Sequence, residues 1–171
     1  MPIHLAIKRS HLQCVQAILE YCEPKGTIKE AGISQKDSDN NNVLHMAAQG
    51  EIEVLSLVID RCGNNLYNML LDKNNAGLTA IQLAAKDKKY YQNLETLLKA
   101  SKECSPPVKV RSEGLGSSLF ASPSCFKNEE EMYEINRQII KAISKLELLG
   151  LNFMDDPYMA KQYNDTKVSD I

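Results

Sequence analysis

Residues 42–61 read NVLHMAAQGEIEVLSLVIDR, and this stretch decides the fold. The pattern predicts a short first helix from Val43, a break at Gly50 and a second apolar helix from Glu51. Such a pair exposes small residues on one side and branched aliphatic residues on the other, so it cannot bury its apolar surface alone. We therefore expect a neighbouring helix pair on each side of it.

The same template occurs twice more in the chain. PIHLAI at residues 2–7 precedes a second apolar stretch at 11–22, and TAIQLAA at 79–85 precedes an apolar stretch that ends near residue 101. Apolar residues in the second stretches recur at steps of three and four, the spacing of one buried helix face. Three such units predict an all-α solenoid.

These units resemble the ankyrin repeat, whose signature is T-P-L-H-x-A. The matching residues are PIHLA at 2–6, LHMA at 44–47 and TAIQLA at 79–84. The resemblance implies a short ankyrin-type helical solenoid over residues 1–101, with repeats at about 1–22, 37–71 and 74–101. The eroded repeats and the absence of tryptophan also resemble ankyrin proteins that intracellular bacteria secrete into host cells.

The units depart from the regular repeat in spacing. His4 and His45 lie 41 residues apart, and His45 and Gln82 lie 37 apart, whereas an ankyrin period is about 33. We therefore expect insertions in both connections, with hairpin tips at 37–42 and 72–77. Met1 stands in the threonine position with no tip before it, so we expect that the chain starts within a repeat or is the trailing part of a longer array.

The remaining third of the chain differs in composition. Residues 102–126 are rich in proline, glycine and serine and predict a linker or mobile loop. Residues 127–150 predict a long amphipathic helix that starts at a capping Asn128 and stops at Gly150. Residues 151–171 form a tail with a weak helix signal at 158–163 that frays from Asn164.

The long helix carries an apolar seam that needs a surface to cover it. Its members are Met132, Ile135, Ile139, Ala142, Leu146 and Leu149, and Ile143 widens it. The seam could form a dimeric coiled coil, dock on its own repeats or bind another protein. Docking on the chain itself is favoured over an oligomer, because the seam is short and broader than a two-position coil.

Composition limits the partners and the compartment. The formal net charge is −2, so nothing favours a nucleic acid or an anionic membrane as partner. The five cysteines lack a C-x-x-C pair, and the N-terminus does not resemble a secretory signal, which predicts reduced thiols in the cytoplasm, or in the host cytosol for a secreted effector. No apolar run is long enough to span a bilayer.

Few residues of the sequence are candidates for metal binding or catalysis. His4, His11, Cys14 and Cys22 lack the close ligand pairs of a zinc site, and the ankyrin resemblance assigns His4 and His45 to hydrogen bonds between tips. Cys125 has no histidine near it in sequence, and there is no glycine-rich phosphate loop. The sequence therefore predicts no metal, no cofactor and no enzyme activity. The final Ser169-Asp170-Ile171 is similar to PDZ-binding ends, but a frayed terminus is the favoured interpretation.

The resemblance implies a protein–protein interaction scaffold that binds its partner through hairpin tips and a concave face. The positions that it assigns to partner binding are Lys8, Arg9, Ser38, Asp39, Asn41, Gln49, Asn75, Ala76, Leu78, Lys86 and Asp87. Lys8, Arg9 and Lys86 suggest an acidic patch on the partner. The alternative is a regulatory or targeting segment of a larger effector or enzyme, with the long helix as a latch on the repeats.

Overall fold

A computed structural model describes residues 2–22, 32–33, 35–103, 119–121, 129–151, 153 and 157–169. Every regular element in these ranges is helical. The α-helices are α1 (Pro2–Lys8), α2 (Leu12–Cys22), α3 (Val43–Ala47), α4 (Ile52–Cys62), α5 (Leu66–Leu71), α6 (Ala80–Ala85), α7 (Tyr91–Glu103), α8 (Glu129–Leu148) and α9 (Pro157–Ser169). Short 3₁₀ turns at Gly63–Asn65 and Lys88–Tyr90 precede α5 and α7.

Three helix pairs stack side by side, as the sequence predicts. The inner helices α1, α3 and α6 contact one another in that order, and the outer helices α2, α4 and α7 form a second row. Residues of both rows, including Leu44, Leu55 and Leu94, are fully buried in one continuous core. The prediction of an all-α solenoid is therefore confirmed.

The second and third inner helices start in the same way. Asn42 accepts hydrogen bonds from the backbone N–H groups of Leu44 and His45, and the backbone N–H of Asn42 donates to Nδ1 of His45. Thr79 and Gln82 exchange the equivalent pair of bonds at the start of α6. This reciprocal capping satisfies N–H groups that a helix end leaves unpaired, which explains helices of only five and six residues.

A tight hairpin tip precedes each of these two helices. The N–H of Asp37 donates to the carbonyl of Asn41 over 2.9 Å, and the N–H of Asn74 donates to that of Leu78 over 3.0 Å. Asn40 and Gly77 hold equivalent places, with positive φ angles of 62° and 76°. The predicted tips are confirmed, and Gly77 fits the left-handed backbone that its position requires.

The insertion between the second and third repeats is helical. Helix α5 buries Leu66, Met69 and Leu70 against the core, as the sequence suggests. The insertion between the first and second repeats includes a buried Ile33, but residues 23–31 lie outside the described residues. The insertion that contains α5 thus lengthens its connection without interrupting the stack.

Helix α8 covers the C-terminal end of the stack. It contacts both α6 and α7, and its buried residues follow the predicted seam from Met132 to Leu146. The place of Leu149 in the seam is wrong, because Leu149 lies beyond the helix and is 66% exposed. The predicted end at Leu149 and Gly150 agrees with a helix that stops at Leu148, followed by a positive φ of 94° at Gly150. The predicted Asn128 cap lies outside the described residues.

Two details of the C-terminal part differ from expectation. Within the range assigned to a linker, Leu119–Ala121 is buried, and Asn136 of α8 accepts a hydrogen bond from the N–H of Ala121 and donates to its carbonyl. The tail does not fray at Asn164, because α9 continues to Ser169. Tyr163 is buried and shares a 2.8 Å hydrogen bond with Ser144 of α8, a tertiary contact that supports the weak helix signal.

Candidate functional site

A cleft of about 920 Å³ runs along the concave side of the stack, between the hairpin tips and the C-terminal ends of the inner helices. Side chains from all three repeats and from α8 line it. They are Lys8, Asp37, Asp39, Asn41, His45, Met46, Gln49, Asn74, Leu83, Lys86, Asp87, Lys88, Tyr90 and Glu134. The cleft is a candidate binding site formed by the described residues.

The structure brings six of the predicted contact residues together in this cleft. They are Lys8, Asp39, Asn41, Gln49, Lys86 and Asp87. Arg9, Ser38, Asn75 and Ala76 are exposed on turns beside the cleft but do not line it. The assignment of Leu78 is wrong, because its side chain is 3% exposed and packs into the core.

Histidines join the first two inner helices to the chain at the following tip. Nε2 of His4 lies 3.1 Å from the carbonyl oxygen of Gln35, and Nε2 of His45 lies 3.0 Å from that of Leu78. Burial lowers the pKa of His45, although its hydrogen bond to Leu78 and the charge of Asp72 oppose this. A neutral ring that donates from Nε2 and accepts at Nδ1 fits both of its backbone contacts.

The two described tips are also tied to each other. The side-chain amide of Asn74 donates to Oδ1 of Asn41 over 3.0 Å, and the N–H of Asn75 donates to the carbonyl of Asp39 over 2.9 Å. Asn40 donates to the carbonyl of Lys73. These bonds fix the rim of the cleft before any partner arrives, so binding would order few additional groups.

The charge of the cleft is mixed. Its lining includes three lysines and four carboxylates, namely Lys8, Lys86, Lys88, Asp37, Asp39, Asp87 and Glu134. Although partial burial acts to raise it, the pKa of Asp37 is lowered by hydrogen bonds from Asn41 and Asp39. The positive character that Lys8, Arg9 and Lys86 suggest is therefore balanced in the cleft, because the fold brings four carboxylates beside the lysines.

Helix α8 contributes to the cleft as well as to the core. Lys86 forms a 2.8 Å ion pair with Glu131, and Glu134 stands at the cleft wall. A hydrogen bond from Gln138, together with the positive charges of Arg137 and Lys88, lowers the pKa of Glu134. Sequence reasoning missed Glu134 because no local signal shows where a distant helix will dock.

Other cleft residues missed from the sequence had a usable signal. Met46 and Leu83 occupy the position of Leu5 in the repeat template, and Asp37 and Asn74 occupy the first position of each tip. Aligning the repeats pairs Met46 with Leu83 and Asp37 with Asn74. Lys88 and Tyr90 lie on the 3₁₀ turn before α7.

The described residues offer little reactive chemistry. In these ranges no three histidine, cysteine, aspartate or glutamate side chains are grouped so that they could hold a metal ion. Burial raises the pKa of Cys62 to about 12, so this thiol stays protonated at neutral pH. Cys125 lies outside the described residues. None of the described helices has the length and apolarity to cross a membrane.

The chain belongs to the ankyrin-repeat family, because a family model described as ankyrin repeats (3 copies) matches residues 3–109. The nuclear factor NF-kappa-B p110 subunit of Drosophila melanogaster is a similar protein, 30% identical over 115 residues. That alignment covers 48% of this chain and 12% of the relative, so the chain matches only a small part of it. No solved structure matches.

Proposed function

We propose that this chain is a protein-binding module that holds its partner in the concave cleft, in the cytoplasm of the cell where it acts. The observation that carries the proposal is the cleft itself, a preordered groove to which three repeats and α8 all contribute side chains. Ankyrin repeats are generally protein-interaction modules, which supports recognition over catalysis. No cofactor is needed for this role.

Two matched triple variants test the proposal. Lys8→Ala, Asp39→Ala and Gln49→Ala together remove exposed cleft side chains, whereas Lys99→Ala, Asp60→Ala and Gln92→Ala remove the same residue types from the outer helices. Each protein is immobilised and the proteins that it captures from cell lysate are quantified by mass spectrometry. We expect capture to fall at least about tenfold for the cleft variant and to stay near wild type for the control.

The result that contradicts the proposal is equal capture by the two variants. Because all six side chains are exposed, neither variant should unfold the protein. Circular dichroism and the midpoint of thermal unfolding check this for both proteins. A fall in capture without a fall in the midpoint then reports on the surface alone.

A second candidate function is regulation by α8. The supporting observation is that α8 reaches the cleft, where Glu131 pairs with Lys86 and Glu134 forms part of the wall. A latch of this kind would restrict access to the groove until it is released. Removing residues 127–171 should then strengthen partner capture by a protein that circular dichroism shows to be folded, whereas loss of capture by the folded protein would identify α8 as a wall of the binding site.

A further inference from the structure

Leu119–Ala121 is a short apolar segment that lies on α8 without belonging to a helix. The side chains of Leu119, Phe120 and Ala121 are 3%, 9% and 8% exposed, so all three are buried. The segment belongs to neither row of repeat helices, and the sequence around it is rich in glycine, serine and proline. It therefore meets α8 as a bound peptide would, through its side chains and its backbone.

One side chain of α8 holds the backbone of this segment. Oδ1 of Asn136 accepts from the N–H of Ala121 over 2.7 Å, and Nδ2 of Asn136 donates to the carbonyl of the same residue over 3.2 Å. Both bonds go to main-chain atoms, so they recognise a peptide backbone rather than a particular side chain. Asn136 is 5% exposed, and a buried amide of this kind is costly to leave unpaired.

The apolar side chains around Asn136 extend beyond the area of three residues. Positions three and four residues away on a helix lie on the same side of it. For Asn136 these positions are Met132, Tyr133, Ile139 and Ile140. Tyr133 is 37% exposed and Ile140 is half-buried, whereas the other two are buried. This side of α8 thus combines a clamp for a peptide backbone with apolar surface that stays partly open to solvent.

This side of α8 differs from the two that have a role already. Ile135 belongs to the seam that packs on the stack, and Asn136 is turned from it by about 100° around the helix axis. Glu134 is the residue of α8 that lines the concave cleft, and Asn136 does not line it. The surface around Asn136 is therefore separate from both the seam and the cleft.

We propose that this side of α8 is a second recognition site, which takes a short non-helical peptide with the pattern leucine, phenylalanine, alanine. The chain fills the site with its own Leu119–Ala121. The residue at the alanine position must offer both an N–H and a carbonyl, because Asn136 bonds to both, so proline is excluded there. A partner segment with the same pattern would compete with the tethered one.

A labelled peptide tests the site in a chain whose own segment is disabled. Leu119→Ser and Phe120→Ser together remove the large apolar side chains of the segment, and the peptide GSSLFASPS reproduces residues 116–124. We expect fluorescence anisotropy to show binding to this double variant at least about tenfold tighter than to the wild-type chain, where the tethered segment competes at a high effective concentration. Equal binding to the two proteins, or none to a double variant that circular dichroism shows to be folded, would overturn the proposal.

Two further changes locate the bound peptide on Asn136. A peptide with N-methylalanine in the place of Ala121 lacks the N–H that Asn136 accepts, and Asn136→Ala in the double variant removes the clamp itself. Each change should weaken binding at least about fivefold. Gln92→Ala removes an exposed amide from α7 and should leave the affinity within about twofold. Unchanged affinity after Asn136→Ala would refute the site.

Hydrogen exchange in the wild-type chain tests the proposal without any substitution. A segment bound as a ligand should detach while α8 stays folded, so the N–H of Ala121 should exchange at least about tenfold faster than that of Ile139. Nuclear magnetic resonance measures both rates. Equal protection of the two N–H groups would show that the segment opens only when the whole chain unfolds, and would overturn the proposal even if the double variant did not fold.

Discussion

The first and last repeats of the described stack differ in how far their apolar side chains are covered. At the C-terminal end, α8 lies on α6 and α7 and fully buries Ile135, Ile139 and Leu146. At the other end, Leu12 of α2 is 37% exposed and Tyr21 is 70% exposed. One end of the solenoid is therefore sealed by a helix outside the repeats, while solvent reaches apolar side chains at the other.

Residues at equivalent positions of the outer helices differ in burial between the open end and the middle of the stack. Val54 and Val58 of α4 are buried where α2 packs against α4. Their counterparts in α2 are Cys14, which is exposed, and Ile18, which is half-buried. The same repeat position thus contributes more buried area inside the stack than at the open end, so we expect stability to be concentrated toward α8.

The largest loss of stability should follow a substitution at the end of the stack that α8 covers. Ile139→Ala creates a cavity under α8 and should lower the free energy of unfolding by about 2–5 kcal/mol. Leu12→Ala, the matched change at the open end, should cost less than about 1 kcal/mol because its side chain is already partly exposed. Urea unfolding followed by circular dichroism compares them, and equal losses would show that α8 does not stabilise the stack.

An intermediate loss of stability is expected from a substitution at the junction between the second and third repeats. The side-chain amide of buried Asn93 donates to the carbonyls of Ala48 and Gly50, over 3.0 Å and 2.8 Å. Asn93→Ala leaves both carbonyls without this donor and should cost about 1–3 kcal/mol. Gln92→Ala, on the exposed side of the same helix, is the control, and chemical denaturation of the two proteins should separate them clearly.

Acid should weaken the link between α3 and the tip at residues 74–78. Because burial lowers the pKa of His45, the unfolded chain binds a proton more readily than the folded one. The contribution of His45 is complete above its ordinary pKa of 6.5 and is lost as the pH falls below it.

The control comes from the third repeat, where Gln82 makes the same capping contacts without titrating near neutral pH. We therefore expect His45→Gln to lose less stability than the wild type between pH 7.5 and pH 5, as measured by thermal unfolding. Parallel curves for the two proteins would mean that protonation of His45 does not loosen the stack.

The smallest loss of stability should follow removal of the ion pair between Lys86 and Glu131 at the cleft. Lys86 and Glu131 are 45% and 36% exposed, so water screens their attraction. Lys86→Ala should cost less than about 1 kcal/mol in low salt, and this cost should disappear near 1 M salt. Lys99→Ala on α7 serves as the control, and a large loss that persists in salt would show that Lys86 stabilises α8 by packing.

Much of the fold could be predicted from the sequence because its determinants are local. The LHMA stretch at 44–47, the capping pairs and the seam of α8 act through neighbours three or four residues away. The burial of Leu119–Ala121 depends on Asn136, 15 residues further along, and the length of α9 depends on a contact with α8. Such contacts leave no periodic pattern in the chain.

The residues of the candidate site show the same difference between local and long-range determinants. Lys8, Gln49 and Lys86 were predicted because one repeat position defines all three. Glu134 could not be predicted, since its place in the cleft depends on the angle at which α8 docks. Leu78 was misassigned because a position at the end of a tip can face either solvent or the core, and only the packing decides which.

The side chain of Asn42 has a consequence for engineering. Its Oδ1 caps the N-terminus of α3. Its Nδ2 donates to the carbonyl of Met69 and to the carboxylate of Asp72. Replacing it with the threonine that the family signature favours would preserve helix initiation but release the segment that follows α5. Redesign toward the family average would therefore loosen this molecule where Asn42 joins the start of the second repeat to the inserted segment around α5.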